Sequence, residues 1–331
     1  MGVSMKKLSV IIPMYNVSNF VARAAKSIAS QWHEDVEVVV IDDGSTDDSF
    51  DVCISLLSSV DAIVIKQKNA GLSAARNAGI NAATGEYLLF LDADDFLLPD
   101  AFNNILAMLE QDKPDVLFGT YLFWRPKTGF SPAKVFAFNP PSDAKKRTDY
   151  ILGSLPQSSW NAWRYICRRS FIVEHGLFFE EGLLCEDVPW TLAMLESTET
   201  IAFLEKPFYA YYHRRPKSIM ASMNPQRLID LNSSVGNLLK QYKDRPVIYD
   251  QLIWQSFLYI CEYCLFKRKN RMRILESYRR VLPQYKYSSY WLHRVGAKCA
   301  YPALFYGLSV LLYITRWVRR AWTGIRRAIR L

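Results

Sequence analysis

Asp92-Ala93-Asp94-Asp95 directly follows the apolar run Tyr87-Leu88-Leu89-Phe90-Leu91, and no other stretch of the chain carries as much chemistry in so few residues. Thr84-Gly85 before the run and a polar turn after it bound a segment short enough to be a fully buried strand. In an open parallel sheet, ligands bind beyond the carboxyl ends of the strands, where these carboxylates would stand. Asp92 and Asp94 alternate, so an extended segment points both to one side, close enough to share a hard divalent cation. Oxygen ligands, waters and substrate phosphates are the surroundings that Mg2+ and Mn2+ favour. A solvated turn that caps the next helix is the competing reading of an isolated Asp-x-Asp. The neighbouring motifs decide between the two.

An earlier apolar run, Val36–Ile41, ends in Asp42-Asp43-Gly44-Ser45-Thr46-Asp47. Gly44 suits a turn and Ser45 or Asp47 a helix cap, but neither accounts for paired carboxylates at a strand end. An ionised Asp only accepts hydrogen bonds, so Asp42 suits the N3–H of uracil or thymine and rejects cytosine. Arg76 lies one turn into a helix opened by Asn69-Ala70-Gly71. It is either an exposed arginine or a contact to base or phosphate near the helix N-terminus. Asp187, after Glu186, suits a general base that takes the proton of an acceptor hydroxyl in one in-line displacement, without a covalent nucleophile. The alternative is a pair of acids complementing the dipole of the helix that follows. His213, Arg214, Arg215 and Lys217 gather charge that would balance a leaving diphosphate, or else form a solvated basic loop. Trp160, Trp163 and Trp190 read as stacking platforms for sugars or as core aromatics.

Hydrophobic patterning supplies the frame these residues need. Four β-like runs, Leu8–Ile12, Val36–Ile41, Ala62–Ile65 and Tyr87–Leu91, alternate with helical patterns over Phe20–Trp32, Phe50–Leu57 and Leu72–Ala83. Such alternation predicts βαβ units, and so an α/β fold with a mostly parallel central sheet flanked by helices. The first strand–helix turn, Pro13-Met14-Tyr15-Asn16, lacks the glycine fingerprints of dinucleotide folds and P-loops. Farther on, a helix over Asp100–Glu110 and a strand over Val116–Tyr121 are expected. Arg125–Arg147 reads as an exposed loop, Thr200–Tyr212 as strands of an antiparallel part of the sheet, and Leu228–Phe266 as helix.

Charge is distributed unevenly. The net +9 of the 331 residues conceals a segment, Lys267–Leu331, with sixteen Lys and Arg against the single acid Glu276. An acidic globular part thus carries a basic tail, which points to an anionic surface as partner. In that tail Trp317, Val318, Trp322, Ile325 and Ile329 alternate with arginines, after the apolar stretch Ala300–Ile314. Fifteen apolar residues fall short of the roughly 20 a spanning helix needs. The pattern predicts an amphipathic interfacial segment on an anionic membrane rather than a nucleic-acid binder. The six cysteines form no dense framework, and Cys261-x-x-Cys264 has no matching second pair, so reduced thiols and no zinc site are expected. Lys6-Lys7 is followed only by a short apolar run ending at Pro13, which is no secretory signal.

Four motifs stand in order along the chain: Val10-Ile11-Ile12-Pro13-Met14-Tyr15-Asn16, Ile41-Asp42-Asp43-Gly44-Ser45-Thr46-Asp47, Gly71-Leu72-Ser73-Ala74-Ala75-Arg76-Asn77-Ala78-Gly79 and Phe90-Leu91-Asp92-Ala93-Asp94-Asp95. In order and spacing they resemble the family 2 inverting glycosyltransferases, which have the A-type glycosyltransferase fold. The likeness covers residues 5–100 closely and 100–220 more loosely. It implies that Asp42 binds uracil, that Pro13 and Tyr15 line the base and ribose pocket, and that Asp92 contacts the ribose side. It further implies that Asp94 ligates a Mn2+ or Mg2+ ion bridging the diphosphate of a nucleotide-sugar donor. Gly182-Leu183-Leu184-Cys185-Glu186-Asp187 resembles the family's Glu-Asp element, whose Asp is the general base. Tyr212–Ile219 resembles its diphosphate-closing loop, with Arg215 and Ser218 in the matching places. The expected organisation is a catalytic domain over 1–220, halved near residue 120, a helical extension over 221–299 and the basic tail 300–331. The expected reaction moves a hexosyl unit from a UDP-linked donor to a glycan or lipid-linked acceptor at the cytoplasmic membrane face. Two other readings remain open: a nucleotidyltransferase acting on sugar phosphates, and a non-catalytic nucleotide-sugar binding module.

Overall fold

The computed structural model of the chain describes residues 6–132, 140–154, 160–183, 185–212 and 225–252. The chain divides into two compact units between Ala221 and Ser222. In the first, β1 (Leu8–Met14), β2 (Val36–Asp42), β3 (Ala62–Lys66) and β4 (Tyr87–Phe90) alternate with α1 (Ser18–Ala29), α2 (Ser49–Leu56) and α3 (Leu72–Ala82). Every residue of β1, β2 and β4 is buried, which is why these strands read as unbroken apolar runs rather than alternating ones. β1 lies between β2 and β4, parallel to both, and β3 pairs parallel along the far side of β2. The helices cover the sheet with single stripes. On α1 the stripe is Val21, Ala24, Ala25 and Ile28, the spacing of one helical face.

The chain continues through β5 (Phe96–Leu97), α4 (Ala101–Asp112), β6 (Val116–Arg125), β7 (Gly129–Pro132), α5 (Ala144–Ser154), β8 (Tyr165–Arg168), α6 (Arg169–Glu174), α7 (Asp187–Ser197) and β9 (Ile201–Tyr212). The strand order is β3-β2-β1-β4-β8-β6-β9-β5, with β7 hairpinned onto β6. The sheet is parallel from β3 to β4 and mixed beyond, because β8 runs antiparallel to both β4 and β6. β9 is a single strand, parallel to β6 and antiparallel to β5, not the all-antiparallel region expected over Thr200–Tyr212. The supposed loop Arg125–Arg147 contains β7 and the start of α5. In the second unit, α8 (Pro225–Gln241) gives way to a turn over 242–244, and helix resumes over 246–252. The continuous helix expected from Leu228 is therefore interrupted. Its end at Phe266, and all of the basic tail, lie outside the described residues. Among the described residues no helix is long and apolar enough to cross a membrane.

One buried acid sets where β4 begins. Glu37 on β2 lies opposite Ser9 of β1 and accepts that hydroxyl, the Thr84 amide at 2.6 Å, the Thr84 hydroxyl at 2.7 Å and the Gly85 amide at 3.2 Å. Four donors satisfy a carboxylate that burial would otherwise penalise. They also anchor the turn from which β4 runs to Asp92. Helix α3 is drawn onto β1 at Gly79, where an added Cβ would lie 2.3 Å from Ile11 Cγ2. Gly79→Ala should therefore lower the unfolding free energy by about 1–3 kcal/mol, measured by urea denaturation. An unchanged midpoint would show that Ile11 can move aside.

Candidate active site

The carboxyl ends of β1 and β2 finish level, Pro13 opposite Ile41 and Met14 opposite Asp42. The chain leaves β1 through Tyr15, which is 48% exposed, and Asn16 at φ 50°. The Asn16 side-chain carbonyl accepts the Thr46 amide at 2.8 Å, and the Asn16 amide donates to Ser45 Oγ at 3.2 Å. The loops after β1 and β2 are thereby laced together. Asp47 accepts the Ser18 amide at 3.1 Å and the Ser49 amide at 3.0 Å, the first residues of α1 and α2. Burial works to raise its carboxyl, but the hydrogen bonds from Ser49 and Ser18 outweigh it and hold it below the usual range.

Asp42 and Asp43 divide in role. Asp43 spends both oxygens on the loop before α3, accepting Gln67 Nε2 at 2.8 Å, the Ala70 amide at 2.9 Å and the Gly71 amide at 2.8 Å. Gly71 sits at φ 92°, a backbone state that only glycine takes without strain, and α3 starts immediately after it. Asp42, also buried, accepts one hydrogen bond among the described residues, from the Ser45 amide to Oδ1 at 3.0 Å. Beneath it the Cys53 thiol is pushed up to about 12, by burial first and then by the Asp42 charge. That thiol is packing, not chemistry.

Arg76 emerges from α3 into a buried cluster of acids. Its Nη1 donates to Glu186 Oε1 at 2.6 Å and its Nη2 to Asp92 Oδ1 at 3.0 Å, with the side chain 3% exposed. Phe179 and Phe90 face the guanidinium at 5.1 and 5.8 Å. Burial opposes the charge, yet Asp92, Glu186 and Asp187 together push its pKa further up. Where a direct contact to base or phosphate was expected of Arg76, the guanidinium here meets carboxylates. Both terminal nitrogens are committed to carboxylates, so the side chain ties the end of β4 to the start of α7. Asp187 is the first residue of α7 and stands beside this cluster, half-buried, while its neighbour Glu186 is buried.

The Asp92–Asp95 turn leaves β4 through Leu91, whose amide donates to Ile11 O at 2.9 Å, and closes on itself through Asp95 N–H to Asp92 O at 2.9 Å. Asp92 and Asp94 are partly exposed; Asp95 is buried. The competing reading of this turn, a cap on the next helix, does not describe Asp95, since α4 begins at Ala101. Instead its carboxylate accepts the Tyr209 hydroxyl at 2.8 Å and the Tyr212 amide at 2.7 Å. Burial, then the Asp94 and Asp92 charges, hold its carboxyl well above the usual range. Among the described residues no three His, Cys, Asp or Glu side chains converge to hold a metal by themselves. The hard oxygens of Asp94 and Asp92 fit Mg2+ or Mn2+ only as a shared ion, completed by substrate phosphate and water, which is how these ions are commonly held.

Arg215, Ser218 and the rest of the basic cluster lie outside the described residues. Trp160, Trp163 and Trp190 are each at most 3% exposed, so they are core aromatics rather than sugar platforms. Trp190 stacks on Phe179 at 4.7 Å, and Trp163 on Tyr209 at 4.3 Å. A cleft of about 530 Å³ opens along α1 between Arg23, Lys26 and Phe96, and none of the site carboxylates lines it. Sequence reasoning passed over Tyr209 because a tyrosine in an apolar strand reads as core. It passed over the Arg76–Glu186 pair because 110 residues separate the partners. Removing the cation should leave two acids unpaired. Arg76→Met is expected to cost about 3–5 kcal/mol of unfolding free energy, read by chemical denaturation. A loss below about 1 kcal/mol, typical of an exposed pair, would show that the acids are adequately solvated without it.

Residues 9–168 match the family model described as Glycosyl transferase family 2. A protein named an uncharacterized glycosyltransferase, YibD of Escherichia coli, is 29% identical over 285 residues, covering 80% of either chain. A second, EpsJ of Bacillus subtilis, is 28% identical over 249 residues, covering 73% of this chain and 70% of its own. Among solved structures, residues 1–349 of TarS from S. aureus in complex with UDP-GlcNAc superpose with a TM-score of 0.73 at 19% identity, covering 93% of this chain and 92% of that one. The mannosyltransferase PcManGT of Pyrobaculum calidifontis, in complex with GDP-Man and Mn2+, gives 0.54 at 13% identity, covering 93% and 86%. At these identities the superpositions establish likeness of fold.

Proposed function

Since the chain belongs to the family 2 glycosyltransferases, we propose that it catalyses an inverting, divalent-metal-dependent transfer of a hexosyl unit from a UDP-sugar to a glycan or lipid-linked acceptor. Family membership makes it a glycosyltransferase and sets aside the nucleotidyltransferase and the non-catalytic binding module. The observation that carries the finer reading is the gathering of acids at one edge of the sheet. Asp42 ends β2, Asp92 and Asp94 follow β4, and Arg76 ties Asp92 to Glu186, next to Asp187. Solved structures of like fold that hold UDP-GlcNAc, or GDP-Man with Mn2+, support a nucleotide-sugar donor and a metal.

In this reading Asp42 accepts the uracil N3–H, and Pro13 with the exposed Tyr15 borders the base and ribose. Asp92 meets the ribose side, and Asp94 holds Mn2+ or Mg2+. The metal, when bound, neutralises charge on the departing diphosphate. Asp187 takes the proton of the acceptor hydroxyl as that oxygen attacks the anomeric carbon and the bond to the diphosphate breaks. Its place at the first turn of α7 sets the positive end of the helix dipole beside it. Arg215 and Ser218 are proposed to close over the diphosphate. The tail 300–331 is proposed to hold the enzyme peripherally on the anionic cytoplasmic face of the membrane, where cell-surface polysaccharide is assembled on lipid-linked acceptors.

Calorimetric titration with UDP and Mn2+ should show metal-dependent binding that Asp94→Ala abolishes; binding indifferent to that change would refute the metal assignment. Asp187→Asn should keep donor binding and lower transfer by at least about 100-fold, the lower end of what a general base contributes. Turnover of nucleotide sugars from a screened panel at the wild-type rate would remove Asp187 as the base. Deleting residues 300–331 should abolish co-sedimentation with anionic vesicles, and continued sedimentation would sink the membrane proposal.

A further inference from the structure

The turn that carries Asp92 and Asp94 is held from the side by a residue outside the roles above. Tyr209 lies on β9, fully buried, and its hydroxyl stands between two members of the turn. It accepts the Asp92 amide at 3.2 Å and donates to Asp95 Oδ2 at 2.8 Å. The other Asp95 oxygen accepts the Tyr212 amide at 2.7 Å. The turn is therefore fastened to β9 at two places three residues apart, in addition to the backbone pairing of Phe96 with Ala210 and Leu97 with Tyr209.

The phenol itself is held in place. Its ring stacks on Trp163 at 4.3 Å and 8°. Trp163 is in turn enclosed by Tyr121 at 4.8 Å, edge-on, and Tyr211 at 5.6 Å. A hydroxyl carried on a ring so confined transmits the position of β9 to the turn with little play. Main-chain pairing brings β9 to Phe96 and Leu97; from β9 the Tyr209 hydroxyl reaches back to the Asp92 amide while it holds Asp95, so the turn is gripped on both sides of Asp94.

We propose that Tyr209, acting with Asp95, is a positioning residue that presents Asp94, and Asp92 with it, to the divalent ion. It touches neither the ion nor the donor. Its effect is that of an outer partner that orients a metal-binding carboxylate, and such partners tune metal affinity by about 10–100-fold. The inference rests on the reading of Asp94 as the metal ligand.

Tyr209→Phe removes the hydroxyl and keeps the ring. Mn2+ binding to the full chain in the presence of saturating UDP, followed by calorimetry, should weaken by about 10–100-fold while circular dichroism shows an intact fold. Asp95→Asn keeps the size of the side chain and should weaken Mn2+ in the same direction. Folded variants that melt at lower temperature yet bind Mn2+ with wild-type affinity would reduce Tyr209 to a structural residue and overturn the proposal. Asp94→Asn, measured alongside, separates the two readings. If it leaves Mn2+ binding unchanged, the metal assignment itself fails. If it abolishes binding while Tyr209→Phe does not, only the positioning role falls.

Discussion

Acids gathered at the buried edge of a sheet repel one another and lose their hydration together, so they cannot assemble without a cation among them. Arg76 is that cation. It reaches the site from α3, nearly inaccessible to solvent, and bonds Asp92 on one side and Glu186 on the other. Burial alone would lower its pKa, and the surrounding carboxylates more than reverse that tendency. A pair of this kind contributes little net stability against an apolar replacement, but breaking it on one side strands a charge. The pair is thus better understood as a specifier of geometry. The end of β4 and the start of α7, far apart in the sequence, are brought to one guanidinium. Asp92 and Asp187 are thereby placed relative to the same guanidinium.

A second regularity follows from the same electrostatics. Each acidic motif is a run in which one member is spent on the frame and another is presented. Asp43 saturates both oxygens on the loop before α3, whereas Asp42 takes one amide. Asp95 is buried against Tyr209 and the Tyr212 amide, whereas Asp92 and Asp94 are partly exposed. Glu186 is buried against Arg76, whereas Asp187 is half-buried at the first turn of α7. Adjacent residues in an extended segment or turn point to different sides, so a tandem pair naturally yields one inward and one outward carboxylate. The inward one, satisfied by amides or a guanidinium, fixes the backbone from which the outward one projects.

This division explains how much of the site was legible in the sequence. The parallel half of the sheet announced itself, because β1, β2 and β4 are buried on both faces and need unbroken apolar runs. The acids that follow those runs were equally visible, since few structural demands place carboxylates at strand ends. Which acid of a pair faces inward was not visible, because it depends on partners far along the chain. Asp95 clasps β9 and Arg76 struts the end of β4 against the start of α7, and neither set of partners can be read from the local sequence. β8 escaped notice because a four-residue strand paired antiparallel between β4 and β6 has no local pattern to set it apart from the helical turns beside it. The three tryptophans admitted two readings, and packing against Phe179 and Tyr209 selected the core.

The acids and the aromatic core meet on β9. Its residues Phe208, Tyr209 and Ala210 are fully buried, and its last described residue, Tyr212, is gripped by the Asp95 carboxylate through the backbone amide. Tyr212 also lies against Trp124 at 5.0 Å and beneath the Arg23 guanidinium at 5.1 Å. The same four-residue turn that bears Asp94 therefore also fixes where β9 ends. The carboxylates that follow β4 and the end of β9 are thus referenced to one short turn. A shift of that turn would displace both together, because Asp95 and Tyr209 couple the two strand ends through short hydrogen bonds between buried groups, where low polarity strengthens each bond.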